Sequence, residues 1–211
     1  MSVIKNIIFD LGGVILNINY EATIDSFENL GVINFKKNYS QKRQTDLFDK
    51  YEKGLISSRK FISTLKKMYD LNNKQIITAW NAMLLDLPKK RLEFILNLKK
   101  DYKIFLLSNT NEIHIKYFEN ELLKLNSLEL YKECFNKIYY SFKMKDRKPN
   151  ASCFNRVINE NCLLPMETLF IDDSTQHISG ANKLGIRTFL IEQNSSIIDL
   201  FPHIIQQAHR L

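Results

Sequence analysis

Four short polar segments interrupt otherwise apolar stretches of this sequence, and each carries a side chain suited to chemistry on an anion. Asp10 follows the run Ile4, Lys5, Asn6, Ile7, Ile8 and Phe9 and precedes Leu11, Gly12, Gly13 and Val14. A carboxylate before two glycines can sit on a sharp turn where backbone approaches a ligand closely, or the turn can serve only to shape the chain. Ser108 ends the run Phe105, Leu106, Leu107 and opens Asn109, Thr110, Asn111; its hydroxyl can donate to a phosphate oxygen, and the N–H groups of a following helix can bind the same anion, although helix capping is the simpler role for such residues. Lys148 stands between Arg147 and Pro149, a compact cation able to offset repulsion between a carboxylate and an approaching dianion. Asp172 and Asp173 close the run Leu169, Phe170, Ile171. Two acids beside a third carboxylate call for a cation, and Mg2+ prefers oxygen ligands and is completed by substrate phosphate; a tight acidic turn without a metal is the competing reading.

These residues need strands to position them. Ile4 to Phe9, Ile104 to Leu107 and Thr168 to Ile171 read as buried strands, with further candidates at Ile138 to Tyr140 and Thr188 to Ile191. Helical patterns lie between them, so the expected fold is α/β: a doubly wound parallel sheet, Rossmann-like, with helices on both faces. Ligands of such sheets bind beyond the carboxyl ends of the strands, which selects Asp10, Ser108 and Asp172.

Residues 17–87 read differently, as four successive helical patterns without a convincing strand. They are expected to form a helical cap inserted into a core of residues 1–16 and 88–211. Tyr20, Ile24 and Phe27 share one face, with Gly31 as a stop. Leu47, Phe48 and Tyr51 form a second stripe ending near Gly54. Ser57 caps a third helix with Phe61, Ile62, Leu65, Met68 and Tyr69 on its buried side. Asn72 or Asn73 caps a fourth carrying Ile76, Ile77, Trp80, Met83 and Leu84, and Pro88 marks the return to the sheet. These aromatic stripes read as bundle core rather than as a ligand box.

The 211 residues are 45% hydrophobic and 25% charged, enough for a core and a sizeable insertion. The three cysteines, Cys134, Cys153 and Cys162, lack the spacing of a zinc or redox motif and read as reduced packing residues. The net charge of +7 is spread along the chain among acids, which argues against a nucleic-acid surface and leaves open the steering of small anions. Without a run of roughly 18 apolar residues or a signal-peptide pattern, neither membrane insertion nor export is expected, and the location expected is cytoplasmic.

Taken in order, the four segments resemble the motifs of the haloacid dehalogenase superfamily, whose members are mostly phosphohydrolases. The details Phe-Asp-Leu-Gly-Gly-Val, Leu-Ser-Asn-Thr-Asn-x-x-His, Arg-Lys-Pro and Phe-Ile-Asp-Asp are similar to the subgroup of bacterial sugar-phosphate phosphatases, a glucose-1-phosphate phosphatase among them. Tyr51, Glu52, Gly54 and Ile56 resemble that subgroup's cap. The resemblance implies that Asp10 is nucleophile and metal ligand, with the Gly12 carbonyl and Asp172 completing the protein ligands of Mg2+ and Asp173 supporting the metal. It implies that Ser108 and the Asn109 backbone hold the phosphate while Lys148 screens Asp10. A small phosphorylated metabolite is the implied substrate, turned over by a monomer or homodimer.

One position departs from the superfamily pattern. Most such phosphatases carry a second aspartate two residues after the nucleophile, where this chain has Gly12. Loss of a positioned acid-base costs about 100- to 10,000-fold in rate, so the sequence encodes a slow enzyme, one with an acid from the cap, or one that prefers a good leaving group such as an anomeric oxygen. Glu52 and His114 are candidate acids, His114 also reading as a structural histidine. Carbon–halogen hydrolysis needs no second aspartate, but needs no metal either, and the acidic pair argues against it. A mutase would also call for the absent acid-base. A phosphate-binding sensor is the third reading, supported by Gly12 and opposed by the retained Asp10, Ser108, Lys148 and Asp172.

Overall fold

A computed structural model describes residues 3–39, 45–192 and 195–210. Five strands, β1 (Asn6–Phe9), β2 (Lys103–Ser108), β3 (Lys137–Tyr140), β4 (Thr168–Asp172) and β5 (Arg187–Leu190), form one parallel sheet in the order β3-β2-β1-β4-β5. The helices are α1 (Tyr20–Asn29), α2 (Asp46–Glu52), α3 (Ser58–Tyr69), α4 (Asn73–Asn81), α5 (Lys89–Leu98), α6 (Glu112–Lys124), α7 (Leu128–Glu133), α8 (Ser141–Met144), α9 (Ala151–Glu160), α10 (Thr175–Asn182) and α11 (Ile197–Arg210). No helix among the described residues is long and apolar enough to cross a membrane.

Strand side chains alternate between two apolar layers, which is why the central runs are apolar throughout rather than at every second position. Ile7, Phe9, Ile104, Leu106, Leu169 and Ile171 point into a core built with α5, α6, α7 and α11. Ile8, Phe105, Leu107 and Phe170 point the other way, into a core built with α9 and α10. The sheet is therefore doubly wound, as the alternation of apolar runs and helical patterns leads one to expect. The chain lays down β1, β2 and β3 in one direction and then crosses to β4 and β5 on the far side of β1. The reversal lies between β1 and β4, the switch point where open α/β sheets form a crevice at their carboxyl edge.

The helices α1 to α4 gather a separate apolar cluster, joined from the sheet side by Ile113 of α6. Aromatic rings fill it: Phe27 stacks on Phe35 and Tyr51 on Phe61 at centroid distances of 4.1 Å, and Trp80 touches Tyr39, Phe48 and Phe61. Ser57 caps α3 by accepting from the Lys60 N–H, and Asn72 forms a reciprocal capping box with Gln75 at the start of α4. Two periodic assignments differ from expectation. Met68 is 52% exposed, because the contact made by α3 is narrower than its apolar stripe and centres on Phe61 and Leu65. Met83 and Leu84 lie past the end of α4 at Asn81, in a segment that runs antiparallel to residues 17–19. There Leu85 N donates to Asn17 O, Asn19 N donates to Met83 O, and Ile18 bridges Leu84. Arg91 ties this pair of segments to α5, donating to Ile15 O and Asn17 Oδ1.

Candidate active site

The carboxyl ends of β1, β2 and β4 lie side by side, so Asp10, Ser108 and Asp172, far apart in sequence, meet at the crevice. Asp10 continues β1 through its N–H, which donates to Ile171 O at 2.9 Å. Lys148 arrives from the loop between α8 and α9, ahead of a cis Lys148–Pro149 bond. Its ammonium, fully buried, lies 2.9 Å from Asp10 Oδ1 and 2.6 Å from Asp172 Oδ2. An ion taken wholly out of water needs such partners at this range to offset the loss of hydration.

Charge balance at this centre follows from burial. Burial disfavours the Asp172 carboxylate, but Lys148 and His177 outweigh it and hold the group down at about 2. Asp10 is raised by its burial, with Lys148 opposing and the neighbouring Asp172 charge reinforcing the rise. Burial would strip the Lys148 proton, yet the two carboxylates hold it on and raise the group above the ordinary lysine value. At neutral pH the centre is a cation clamped between two acids.

The side chain of Asn109 positions that lysine. Its Nδ2 donates to Lys148 O and its Oδ1 accepts from Lys148 N, both at 2.9 Å, so one amide grips both polar groups of the Lys148 backbone. Ser108 is buried, and its hydroxyl makes no hydrogen bond to another described side chain or backbone group. Gly13 adopts φ +76°, and a Cβ there would stand 2.5 Å from Asp173 Oδ2; only glycine allows the turn after β1 to lie against that carboxylate. Asp10, Asp172 and His177 each offer a ligand atom, all within 4.8 Å of one another. With the carboxylate oxygens of the first two, this donor set fits a hard divalent cation. Asp173 stands outside that trio, packed over Gly13.

The two candidate acids have other tasks. His114 stacks on Trp80 at 4.9 Å, its Nε2 is 2.9 Å from Trp80 O, and its Nδ1 is 3.0 Å from Asn111 Nδ2. Burial pushes it down to about 4, so it is neutral at pH 7 with both ring nitrogens engaged: the structural reading of this histidine fits. Glu52 is buried and paired with Arg147 at 3.0 Å, and Arg147 also reaches Asp49 at 3.3 Å. Ser141 Oγ accepts from Thr110 N and lies within hydrogen-bond distance of Glu52 O and Thr110 O. These contacts fasten the end of α2 to the loop that follows Ser108 and to the loop that carries Lys148.

Three features were not read from sequence. The grip of the Asn109 side chain on the Lys148 backbone joins residues 39 apart, which no local pattern reports. His177 lies with Nδ1 3.0 Å from both Asp172 oxygens; its place in the first turn of the helix after an acidic strand end was the available signal. Ile18 puts Cδ1 2.9 Å from where a Cβ on Gly12 would be, a close approach within one loop that no spacing announces.

Comparison with known proteins bears on this arrangement. The family model described as haloacid dehalogenase-like hydrolase matches residues 7–191. A D-ribitol-5-phosphate phosphatase of Bacteroides thetaiotaomicron is 30% identical over 194 residues, covering 91% of this chain and 94% of that protein. A haloacid dehalogenase family enzyme from the same organism, crystallised as an aspartate-to-alanine variant with magnesium and inorganic phosphate, superposes with a TM-score of 0.87 at 34% identity, covering 94% and 98% of the two chains. A predicted hydrolase of this kind from Porphyromonas gingivalis gives 0.85 at 30% identity, covering 97% and 99%. With the family model spanning most of the sequence, the chain belongs to the haloacid dehalogenase-like hydrolases, as a hydrolytic enzyme with phosphatase relatives.

Proposed function

We propose that this enzyme is a magnesium-dependent phosphatase that hydrolyses a small phosphorylated metabolite, a sugar or sugar-alcohol phosphate, through a phosphoryl group carried on Asp10. The observation that carries the reading is the buried Lys148 ammonium between Asp10 and Asp172, at a strand-end crevice that also holds a buried Ser108 with no side-chain hydrogen bond among the described residues. Such a site can receive a phosphate and lower its repulsion from an attacking carboxylate. The relative that acts on D-ribitol 5-phosphate and the neighbour holding magnesium and phosphate support the same reading.

In this proposal Asp10 attacks phosphorus, the bond to the leaving oxygen breaks, and water later cleaves the acyl phosphate, regenerating Asp10. Ser108 and the Asn109 N–H hold the equatorial oxygens, and Lys148 neutralises charge at Asp10 during approach. Asp10, Asp172 and the Gly12 carbonyl would hold Mg2+, with Asp173 supporting it; when bound, the ion supplies further charge neutralisation at the transferring phosphoryl group. His177 orients Asp172. We also propose that residues 17–87 act as a cap on a core formed by 1–16 and 88–211, supported by the separate aromatic cluster and by the paired segments near residues 17 and 85. The enzyme is proposed to be cytoplasmic and to work as a monomer or homodimer, without nucleic acid or membrane as partner.

The test is phosphate release with Mg2+ from a panel of sugar and sugar-alcohol phosphates, D-ribitol 5-phosphate included, beside an Asp10→Asn control. Release abolished in the control is the expected result. No release above the control on any substrate would refute the proposal.

A further inference from the structure

Lys148 reaches Asp10 and Asp172 from a loop, residues 145–150, that two separate parts of the chain hold in place. From the sheet side, Asn109 binds both backbone polar groups of Lys148 at 2.9 Å. From α2, in the segment proposed as the cap, Glu52 meets the Arg147 guanidinium at 3.0 Å and Asp49 meets it at 3.3 Å. The turn after α2 is seated on the same stretch of chain: Lys145 Nζ donates to Gly54 O, Ser141 Oγ lies 2.8 Å from Glu52 O, and a Cβ on Gly54, at φ +60°, would collide with Phe142 O. Glu52 is buried and the Arg147 side chain is only 16% exposed, so the pair lies inside this joint, not on an exposed rim where ion pairs contribute little. Asp49 is also paired with Lys53 at 2.8 Å and keeps that cation if Arg147 is removed. Arg147 and Lys148 are consecutive, one side chain running to α2 and the other to the two acids. A shift of the guanidinium therefore passes through a single peptide unit to the ammonium.

We propose that Arg147 is a positioning residue: its ion pair with Glu52 sets the reach of the Lys148 ammonium to Asp10, so that charge neutralisation during phosphoryl transfer depends on α2 being docked against the loop. The inference rests on the phosphatase reading and deepens it. Arg147 touches neither phosphate nor metal in this scheme and acts only through Lys148. The cap segment thereby contributes to the rate of the chemical step as well as to the enclosure of the substrate. An ion pair that served the fold alone would leave the rate of the folded enzyme unchanged when it was removed.

The experiment compares wild type, Arg147→Met and the double variant Arg147→Met/Glu52→Gln, with Asp10→Asn as the blank, on the best substrate of the phosphate panel with Mg2+. Thermal melts are recorded beside kcat and KM, and rates are taken well below the lowest midpoint so that every protein is folded. Arg147→Met leaves a buried carboxylate without this cation and should melt lowest; neutralising Glu52 as well removes that charge, so the double variant should melt above it. Its rate should not follow. Both variants are expected to lose about 10- to 100-fold in kcat/KM, the range for shifting a reacting group by up to about 1 Å, with kcat falling in step and KM moving by less than about threefold. If Arg147→Met does not fold, the double variant decides alone. A rate in the double variant within about threefold of wild type, or a loss carried by KM alone, overturns the role of Arg147 and leaves the phosphatase reading standing. No turnover above Asp10→Asn by wild type overturns both.

Discussion

Replacing Lys148 by methionine keeps most of the side-chain volume and deletes the charge that separates Asp10 from Asp172. At 2.9 and 2.6 Å, each contact is worth about 6 kcal/mol of Coulomb attraction at an effective dielectric of about 20. Burying the ammonium takes back several kcal/mol, and removing one member of a buried ion cluster typically costs about 3–5 kcal/mol because unpaired charge remains. That is the loss expected in a urea titration at pH 7 with EDTA present. The pH dependence should change as well. In wild type the Asp172 carboxyl lies near 2 in the folded state, below its unfolded value, so its contribution is present above about pH 4 and disappears as pH falls toward 2. In Lys148→Met, two buried carboxylates face each other and one takes up a proton, its folded pKa raised above the unfolded value. That variant gains more stability than wild type as pH drops from 7 to 5, because Lys148 no longer opposes the rise at the two acids. Saturating Mg2+ should restore part of the loss by binding only the folded state. A loss below about 1 kcal/mol in EDTA, or the same pH slope in both proteins, would refute the claim that this lysine holds the two acids together.

Asn109→Leu removes both bonds to the Lys148 backbone, and kcat/KM for any phosphate turned over should fall at least about tenfold, as expected when a charged group is misplaced by a fraction of an ångström, with a stability loss of about 1–3 kcal/mol measured in parallel. Gly13→Ala forces φ +76° on a residue with a Cβ and drives that atom against Asp173, so a thermal melt should show a destabilisation of about 1–3 kcal/mol. Gly12→Asp alone meets Ile18 and should lower the melting temperature, whereas Gly12→Asp combined with Ile18→Ala should recover it; the pair is measured as a double-mutant cycle. Asp172→Asn should abolish Mg2+ binding in calorimetry while leaving the secondary-structure circular dichroism unchanged, and heat release equal to wild type would count against Asp172 as a ligand.

What the sequence made legible was whatever local periodicity controls. β1, β2 and β4 are short apolar runs because they are buried on both sides, and their ends are polar because the sheet opens there. Ser57 and Asn72 announce helix starts because capping is a contact over three residues. The meeting of Asp10, Ser108, Lys148 and Asp172 was readable only as an ordered set, since each alone has an ordinary structural use. Contacts that depend on the closing of the fold were hidden. The Asn109 grip spans 39 residues, and the Arg147 contact with Asp49 spans 98. Met83 shows the converse, a residue that keeps helical spacing and a buried place although the helix has already ended.

The full burial of Lys148 has a consequence for the order of events. Asp10 and Asp172 together carry two negative charges and the lysine returns one, so the centre alone is a net anion, with Asp173 adding to the field nearby. Solvent cannot supply a second fixed cation there, and a phosphate dianion arriving first meets repulsion that one ammonium does not cancel. A divalent ion turns the balance of the centre positive. Under the proposed chemistry the metal is thus the natural first arrival, and the crevice admits its substrate only after the ion has changed the sign of the door.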